Sequence, residues 1–75
     1  MQDKLSLSEV VARDPETMGG VPVFTGTRVP VSFLLEYLEG GETIDEFLDG
    51  FPSVRREQVL SFLERGAQLV LSEAA

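Results

Sequence analysis

The sequence predicts a mainly α-helical fold in which a three-helix, helix-turn-helix-like unit follows a short N-terminal β-hairpin arm. Most β-branched residues and three of the four prolines lie within the first 30 residues, whereas apolar residues recur at helical spacing after them. A tight Phe51-Pro52-Ser53 connection separates the last two helical segments. We therefore expect one domain over residues 1–75, with a β arm over 1–29 and a trihelical unit over 30–75.

The arm is predicted to contain two short strands. Val10 and Val11 begin the first strand, Asp14-Pro15 forms a turn, and Pro22-Val23-Phe24 forms the second strand. Gly19 and Gly20 between them give the chain access to positive φ. An isolated two-stranded unit is marginal in water, so the arm must lie on the helices or pair with another chain.

The first two predicted helices have clear ends. Pro30 suits the first turn of a helix that Gly40-Gly41 ends, with an apolar face of Phe33, Leu34, Tyr37 and Leu38. Thr43 and Glu46 then form a capping box that begins a short second helix, which Asp49-Gly50 ends. We expect Ile44, Phe47 and Leu48 to form its buried face.

A longer third helix is predicted from about Val54 into the seventies. Gly66 in its middle costs up to about 1 kcal/mol relative to alanine, and we expect the close approach of another backbone to compensate. Its apolar stripe, expected to be buried, comprises Val59, Leu60, Phe62, Leu63, Ala67, Val70 and Leu71.

The residue inventory argues against an enzyme. The chain has no cysteine and no histidine, which excludes disulfide scaffolds, Cys/His zinc sites, thiol nucleophiles and imidazole chemistry. The acidic residues lack the spacing of a calcium loop, and no Gly-Lys-Ser/Thr phosphate loop follows the glycines. We expect a non-enzymatic protein with no metal and no cofactor.

The charge favours a basic partner. Thirteen acidic residues against six basic ones give a net charge of −7, which disfavours nucleic acid and anionic membranes but steers a basic protein. Solubility alone is the alternative explanation. A core this small also favours a homodimer or a partner chain. The first residues do not resemble a signal peptide, and no apolar stretch approaches about 20 residues, so we expect a cytoplasmic location without membrane contact.

Two groups of charged side chains are candidate binding residues. Arg55 and Arg56 stand at the expected start of the third helix, where cations oppose the helix dipole; in a helix-turn-helix this position meets nucleic acid. Arg28 either adds to that contact or braces the arm by binding a carbonyl or an acid. The candidate partner-binding acids, which are otherwise a solvated face, are Glu36, Glu39, Asp45, Glu46 and Asp49.

The run from Asp14 to Val31 resembles the bacterial and archaeal family called domain of unknown function 433. Its hallmark is Gly-Gly-x-Pro-Val-x-x-Gly-Thr-Arg-x-Pro-Val, which this chain matches at Gly19, Gly20, Pro22, Gly26, Thr27, Arg28 and Pro30. The similarity extends from Val10 to about Leu69. Later family positions are matched by Gly41, Ile44, Asp45, Glu46, Phe47, Leu48, Phe51 and Pro52.

The resemblance implies a homeodomain-like three-helix unit and an antitoxin role beside a small PIN-like ribonuclease toxin, with binding to the chain's own promoter in addition. Two positions depart from the family. Arg55 stands near the usual Ser/Thr cap, which leaves Ser53 as an alternative cap, and Arg65 stands where an aromatic residue is common. The alternatives to an antitoxin are a helix-turn-helix DNA-binding regulator and an interaction module of unknown role.

Overall fold

The computed structural model describes residues 5–16 and 18–74, and it confirms the predicted mainly α-helical fold with a short N-terminal hairpin. Residues 1–4 and Thr17 of the predicted arm, and Ala75, lie outside the described residues. In chain order the elements are α1 (Leu7–Val10), β1 (Val11–Ala12), β2 (Val23–Phe24), α2 (Val31–Glu39), α3 (Ile44–Gly50) and α4 (Arg56–Ala74).

The hairpin pairs β1 and β2 antiparallel, with Val11 opposite Phe24. The first strand starts one residue later than predicted because Val10 ends α1, a short helix that we did not predict. Gly19 and Gly20 adopt the predicted positive φ, at 66° and 84°. The chain between the strands is held by the Arg13 side chain, whose Nε donates to the carbonyl of Gly20 at 2.7 Å.

A second tight turn reverses the chain directly after β2. The N–H of Thr27 donates to the carbonyl of Phe24 at 3.0 Å, and Gly26 between them has a φ of 81°, as the third residue of a type II turn requires. The Thr27 hydroxyl donates to the same carbonyl and accepts from the N–H of Val29. The Gly-Thr-Arg part of the motif therefore specifies a turn by backbone geometry.

The arm lies on the chain's own helices. Phe24 is fully buried, and its ring centroid lies 6.1 Å from that of Phe47 in α3 and 6.0 Å from that of Phe62 in α4. The burial of Phe24 explains why so short a hairpin is stable, since two isolated strands bury too little apolar surface.

Helix α2 is bounded by two specific ends. Pro30 precedes the helix as its N-cap and does not occupy the first turn as predicted. At the other end, the N–H of Glu42 donates to the carbonyl of Tyr37 and the N–H of Gly41 to that of Leu38, which is a Schellman motif. Gly41 has the positive φ of 89° that this motif requires.

Exchanging glycine for alanine at two positions should have opposite effects. Gly41→Ala forces an L-residue into left-handed backbone, so we expect the free energy of unfolding to fall by about 1–2 kcal/mol. Gly66→Ala lies inside α4 with nothing within 4 Å of a new Cβ, so we expect a gain of up to about 1 kcal/mol. Urea denaturation of both variants checks this, and a loss at Gly66 would contradict the open space around it.

The capping box of α3 is confirmed. The Thr43 hydroxyl accepts from the N–H of Glu46 at 3.1 Å, and the Glu46 carboxylate accepts from the N–H of Thr43 at 2.7 Å. Phe47, on the buried side of this helix, joins the main core, whose buried members are Phe24, Leu34, Phe47, Val54 and Val59.

The buried side of α4 differs from the prediction. Val59 is buried as expected, Phe62 and Leu63 are only half-buried, and Gln58 and Ser61 are also buried. The arm and α1 cover the side of α4 that carries these two polar residues. The predicted stripe members left exposed are Leu60, Ala67, Val70 and Leu71.

Two expectations about α4 are wrong for the described residues. Gly66 is approached by no other backbone, since nothing lies within 4 Å of the position its Cβ would take. Ser53 does not cap the helix, because α4 begins at Arg56 and Ser53 lies in the preceding turn.

Candidate partner-binding surface

The two arginines at the start of α4 each lie beside an acid. Arg56 forms an ion pair with Asp45 in the first turn of α3, and Arg55 Nη1 lies 3.6 Å from Glu57 Oε2. Both arginine side chains remain a little more than half exposed. The pairings offset part of the unfavourable placement of two cations at a helix N-terminus, and they reduce the net positive charge at this end of α4.

Arg28 does not brace the arm. Its side chain is exposed and makes no hydrogen bond or ion pair with any residue that the structure describes. The expected bracing contact is made by Arg13 through the Gly20 carbonyl. Of the two roles that the sequence left open for Arg28, bracing of the arm is therefore wrong for the described residues, because the guanidinium of Arg13 reaches a carbonyl of the arm and that of Arg28 does not.

All five predicted partner-binding acids are exposed on α2 and α3, but two are already engaged. Asp45 pairs with Arg56. Glu46 caps α3, and the hydrogen bonds that it accepts from the backbone and side chain of Thr43 lower the pKa of its carboxyl below the ordinary 4.5. These two carboxylates therefore have structural roles within the chain.

The other three predicted acids remain available. Glu36 and Glu39, one turn apart on α2, and Asp49 on α3 are exposed, and within the described chain their carboxylates have no ion-pair partner. We refer to these three residues as the acidic surface. Charged groups in this setting are well solvated and attract cations over a Debye length of about 8–10 Å in physiological salt.

Gln58 is the most connected polar side chain that sequence reasoning missed. It is fully buried, and its Nε2 donates to the carbonyls of Glu9 and Thr25, each at 3.0 Å. Its Oε1 accepts from the N–H of Arg55 at 3.0 Å, as a glutamine at the third position of a helix does for the N-cap. We refer to Gln58, Glu9, Thr25 and Arg55 as the Gln58 cluster.

The remaining motif positions are structural. Pro22 accepts a hydrogen bond from the N–H of Val31, Pro30 forms a β-bridge with Val23, and Pro52 lies in the turn between α3 and α4. Together with the glycines and Thr27, they set the path of the backbone from the hairpin into α2.

Within residues 5–16 and 18–74, no group of three or more histidine, cysteine or acidic side chains is placed to hold a metal ion. Among the same residues, no helix has the length and apolar character needed to cross a membrane.

Comparison with known proteins agrees with the motif. The family model described as "Protein of unknown function (DUF433)" matches residues 11–64. The chain belongs to this family. A crystal structure of a DUF433 member from Anabaena variabilis ATCC 29413 shares the fold, with a TM-score of 0.66 at 24% identity, over 89% of this chain and 69% of that one.

A curated relative is longer. An uncharacterized protein, y4eO, of Sinorhizobium fredii is 32% identical over 59 residues, which are 79% of this chain and 27% of that protein. The similarity thus spans about a quarter of the length of this relative.

Proposed function

We propose that this DUF433 chain is a non-enzymatic, antitoxin-like protein that binds a PIN-like ribonuclease toxin and denies it RNA. The observation that carries the proposal is the acidic surface: three exposed carboxylates without an ion-pair partner in the described chain, on a protein of net charge −7. A ribonuclease must present cations to bind the phosphates of its substrate. Carboxylates that form ion pairs with those cationic side chains compete with RNA for the same binding site.

The position of the other charges supports this choice. Asp45 and Glu57 offset Arg56 and Arg55, so the cationic residues at the start of α4 contribute little net positive potential. Electrostatic complementarity of this kind raises the association rate with a basic partner, and this rate enhancement decreases as the ionic strength rises.

The test is co-purification with the product of the neighbouring gene, followed by an RNA-cleavage assay and growth rescue. The variant Glu36→Lys/Glu39→Lys should weaken the complex at least tenfold and restore cleavage. Glu16→Lys/Glu73→Lys changes the net charge equally at two exposed acids outside the acidic surface, and it should retain most of the affinity. Equal affinities for the two variants, or no complex with the wild type, would overturn the proposal.

A second candidate function is promoter binding. This candidate is supported by Arg55 and Arg56, which lie before and at the start of α4 with more than half of each side chain exposed. In a helix-turn-helix this position meets nucleic acid. Gel shifts on the upstream DNA in about 50 mM salt, with Arg28→Ala, Arg55→Ala and Arg56→Ala, test this candidate. Absence of a shift for the protein alone and for its complex would exclude it.

A further inference from the structure

A groove runs between α4 and the N-terminal segment formed by α1 and β1. Its volume is about 360 Å³, at the lower end of the roughly 300–1,000 Å³ that is typical of small-molecule sites. The acidic surface on α2 and α3 contributes no residue to it. We refer to this feature as the α1–α4 groove; its apolar walls include Leu7, Val11, Phe62 and Leu69, and its charged members are Arg13 and Arg65.

The α1–α4 groove combines apolar walls with positive charge. Arg13 and Arg65 line it, and no acidic residue does so within the part of the chain that the structure describes. This lining contrasts with a chain that has thirteen acidic residues and six basic ones. Asp14 and Glu64, the chain neighbours of the two arginines, are exposed and lie outside the lining. The groove therefore attracts an anion locally, although the net charge of the chain is negative.

Both guanidinium groups keep donors for a ligand. Arg13 Nε donates to the carbonyl of Gly20 at 2.7 Å, and Arg65 Nη2 donates to the carbonyl of Leu5. Among the described residues, neither side chain makes a further hydrogen bond or an ion pair.

Arg65 in particular lacks a counter-ion. Its side chain is half-buried, and its Nε is buried without an acceptor in the described chain. Buried polar groups are hydrogen-bonded in the large majority of cases, so an unpaired donor on a cation requires an explanation. An anion bound to the remaining N–H groups of this guanidinium would neutralise a charge that the described chain leaves unpaired.

We propose that the α1–α4 groove binds a small amphiphilic carboxylate, such as a medium-chain fatty acid. Its carboxylate binds Arg65, and its hydrocarbon chain lies along the apolar walls. A guanidinium binds a carboxylate through charge-assisted hydrogen bonds, which are stronger than neutral ones. The hydrocarbon chain removes from water the side chains of Leu7 and Leu69, which are 60% and 61% exposed. A ligand without either part would leave the guanidinium unpaired or the walls exposed.

Isothermal titration calorimetry with octanoate, below its micelle concentration, tests the site. We expect saturable binding, and about tenfold weaker binding of 1-octanol, which has the same hydrocarbon chain and no charge. Amide chemical shifts of the labelled protein should change in α1, β1 and the part of α4 around Arg65. No binding of octanoate, equal affinities for octanoate and octanol, or shift changes confined to α2 and α3 would overturn the inference. The test uses the chain alone, so it does not depend on the proposed function.

Arg65→Gln removes the guanidinium from the groove and should weaken octanoate binding about tenfold. The matched control is Arg28→Gln, which changes the net charge equally at an exposed arginine outside the groove. The control should retain the wild-type affinity. Equal losses in the two variants would show that only the net charge matters, and would overturn the inference.

A second pair of variants leaves the hydrogen bond from Arg65 to Leu5 in place. Leu69→Gln and Leu71→Gln make the same change at two positions of α4 that are 61% and 70% exposed, so both should keep the helical circular dichroism of the wild type. Leu69 lines the α1–α4 groove, whereas Leu71 lies outside it. Leu69→Gln should therefore weaken octanoate binding severalfold and Leu71→Gln should not. Equal affinities of these two variants for octanoate would contradict the placement of the hydrocarbon chain.

Discussion

Phe47→Ala is expected to lower the free energy of unfolding by about 3–5 kcal/mol. Phe47 is fully buried, and its ring centroid lies 4.9 Å from that of Phe51, 5.4 Å from that of Tyr37 and 6.1 Å from that of Phe24. The substitution removes these contacts and leaves a cavity between α2, α3 and the arm. Since a chain of this length has a total stability of roughly 4–11 kcal/mol, a large part of it would be lost.

The measurement is urea denaturation followed by far-ultraviolet circular dichroism. Phe33→Ala is the matched control: the same atoms are removed, but Phe33 is exposed on α2 and contacts only Phe51 among the rings of the described chain. We expect the control to cost less than about 1 kcal/mol. If Phe47→Ala does not fold, Phe47→Leu, with an intermediate loss, keeps the comparison measurable. Equal losses at Phe33 and Phe47 would contradict the assignment of the core.

Gln58→Leu is expected to cost about 2–3 kcal/mol, although it places an apolar side chain in a buried position. The carbonyls of Glu9 and Thr25 and the N–H of Arg55 each lose their hydrogen bond to Gln58. Polar groups left unpaired in a protein interior cost about 1–3 kcal/mol apiece, and the apolar gain of leucine offsets part of this. Urea denaturation gives the value, and a neutral or stabilising result would contradict the Gln58 cluster.

Two further variants isolate the hydrogen bonds. Gln68→Leu makes the same chemical change at an exposed position of α4, and it should change stability by less than about 0.5 kcal/mol. Gln58→Glu keeps the oxygen that accepts from the Arg55 N–H, but it places a carboxylate against the carbonyls of Glu9 and Thr25, and burial beside these carbonyls raises the pKa of such a carboxyl. Its loss of stability relative to the wild type should therefore be larger at pH 7 than at pH 5.

The helices that sequence reasoning placed well are those with local end signals. The capping box of Thr43 and Glu46 fixes the start of α3, and the glycines after residue 39 fix the end of α2. The missed helix α1 carries the same kind of signal, because the Glu9 carboxylate accepts from the N–H of Ser6 at 2.8 Å in a Ser-x-x-Glu pattern. The sequence therefore contains the start signal of α1, although this helix has only four residues.

There is a physical reason why the buried side of α4 differs from the predicted apolar stripe. Apolar spacing identifies a face but does not say which other element covers it. The arm covers the side with Gln58 and Ser61, because hydrogen bonds from Gln58 satisfy backbone groups of the arm and of α1 that apolar side chains could not satisfy. These hydrogen bonds join Gln58 to Glu9, which lies 49 positions earlier in the chain, and to Thr25, which lies 33 positions earlier. Local sequence patterns do not reveal contacts over such distances along the chain.

The sequence predicts which acidic residues of the candidate site are exposed, but it does not predict which of them form ion pairs within the chain. Glu36, Glu39 and Asp49 are exposed as expected, since they alternate with apolar positions on short amphipathic helices. The ion pair between Arg56 and Asp45 joins two helices that are separated by a turn. No local pattern indicates that this acid is taken by an arginine within the chain.

The Gln58 cluster also determines how the molecule opens. The Gln58 side chain joins the end of α1 and the turn after β2 to the first turn of α4, so detaching the hairpin from an intact α4 would break both of these buried hydrogen bonds. The arm and the helical unit then form one foldon, and the amide protons of Thr25 and Val59 should exchange with solvent at the same limiting free energy.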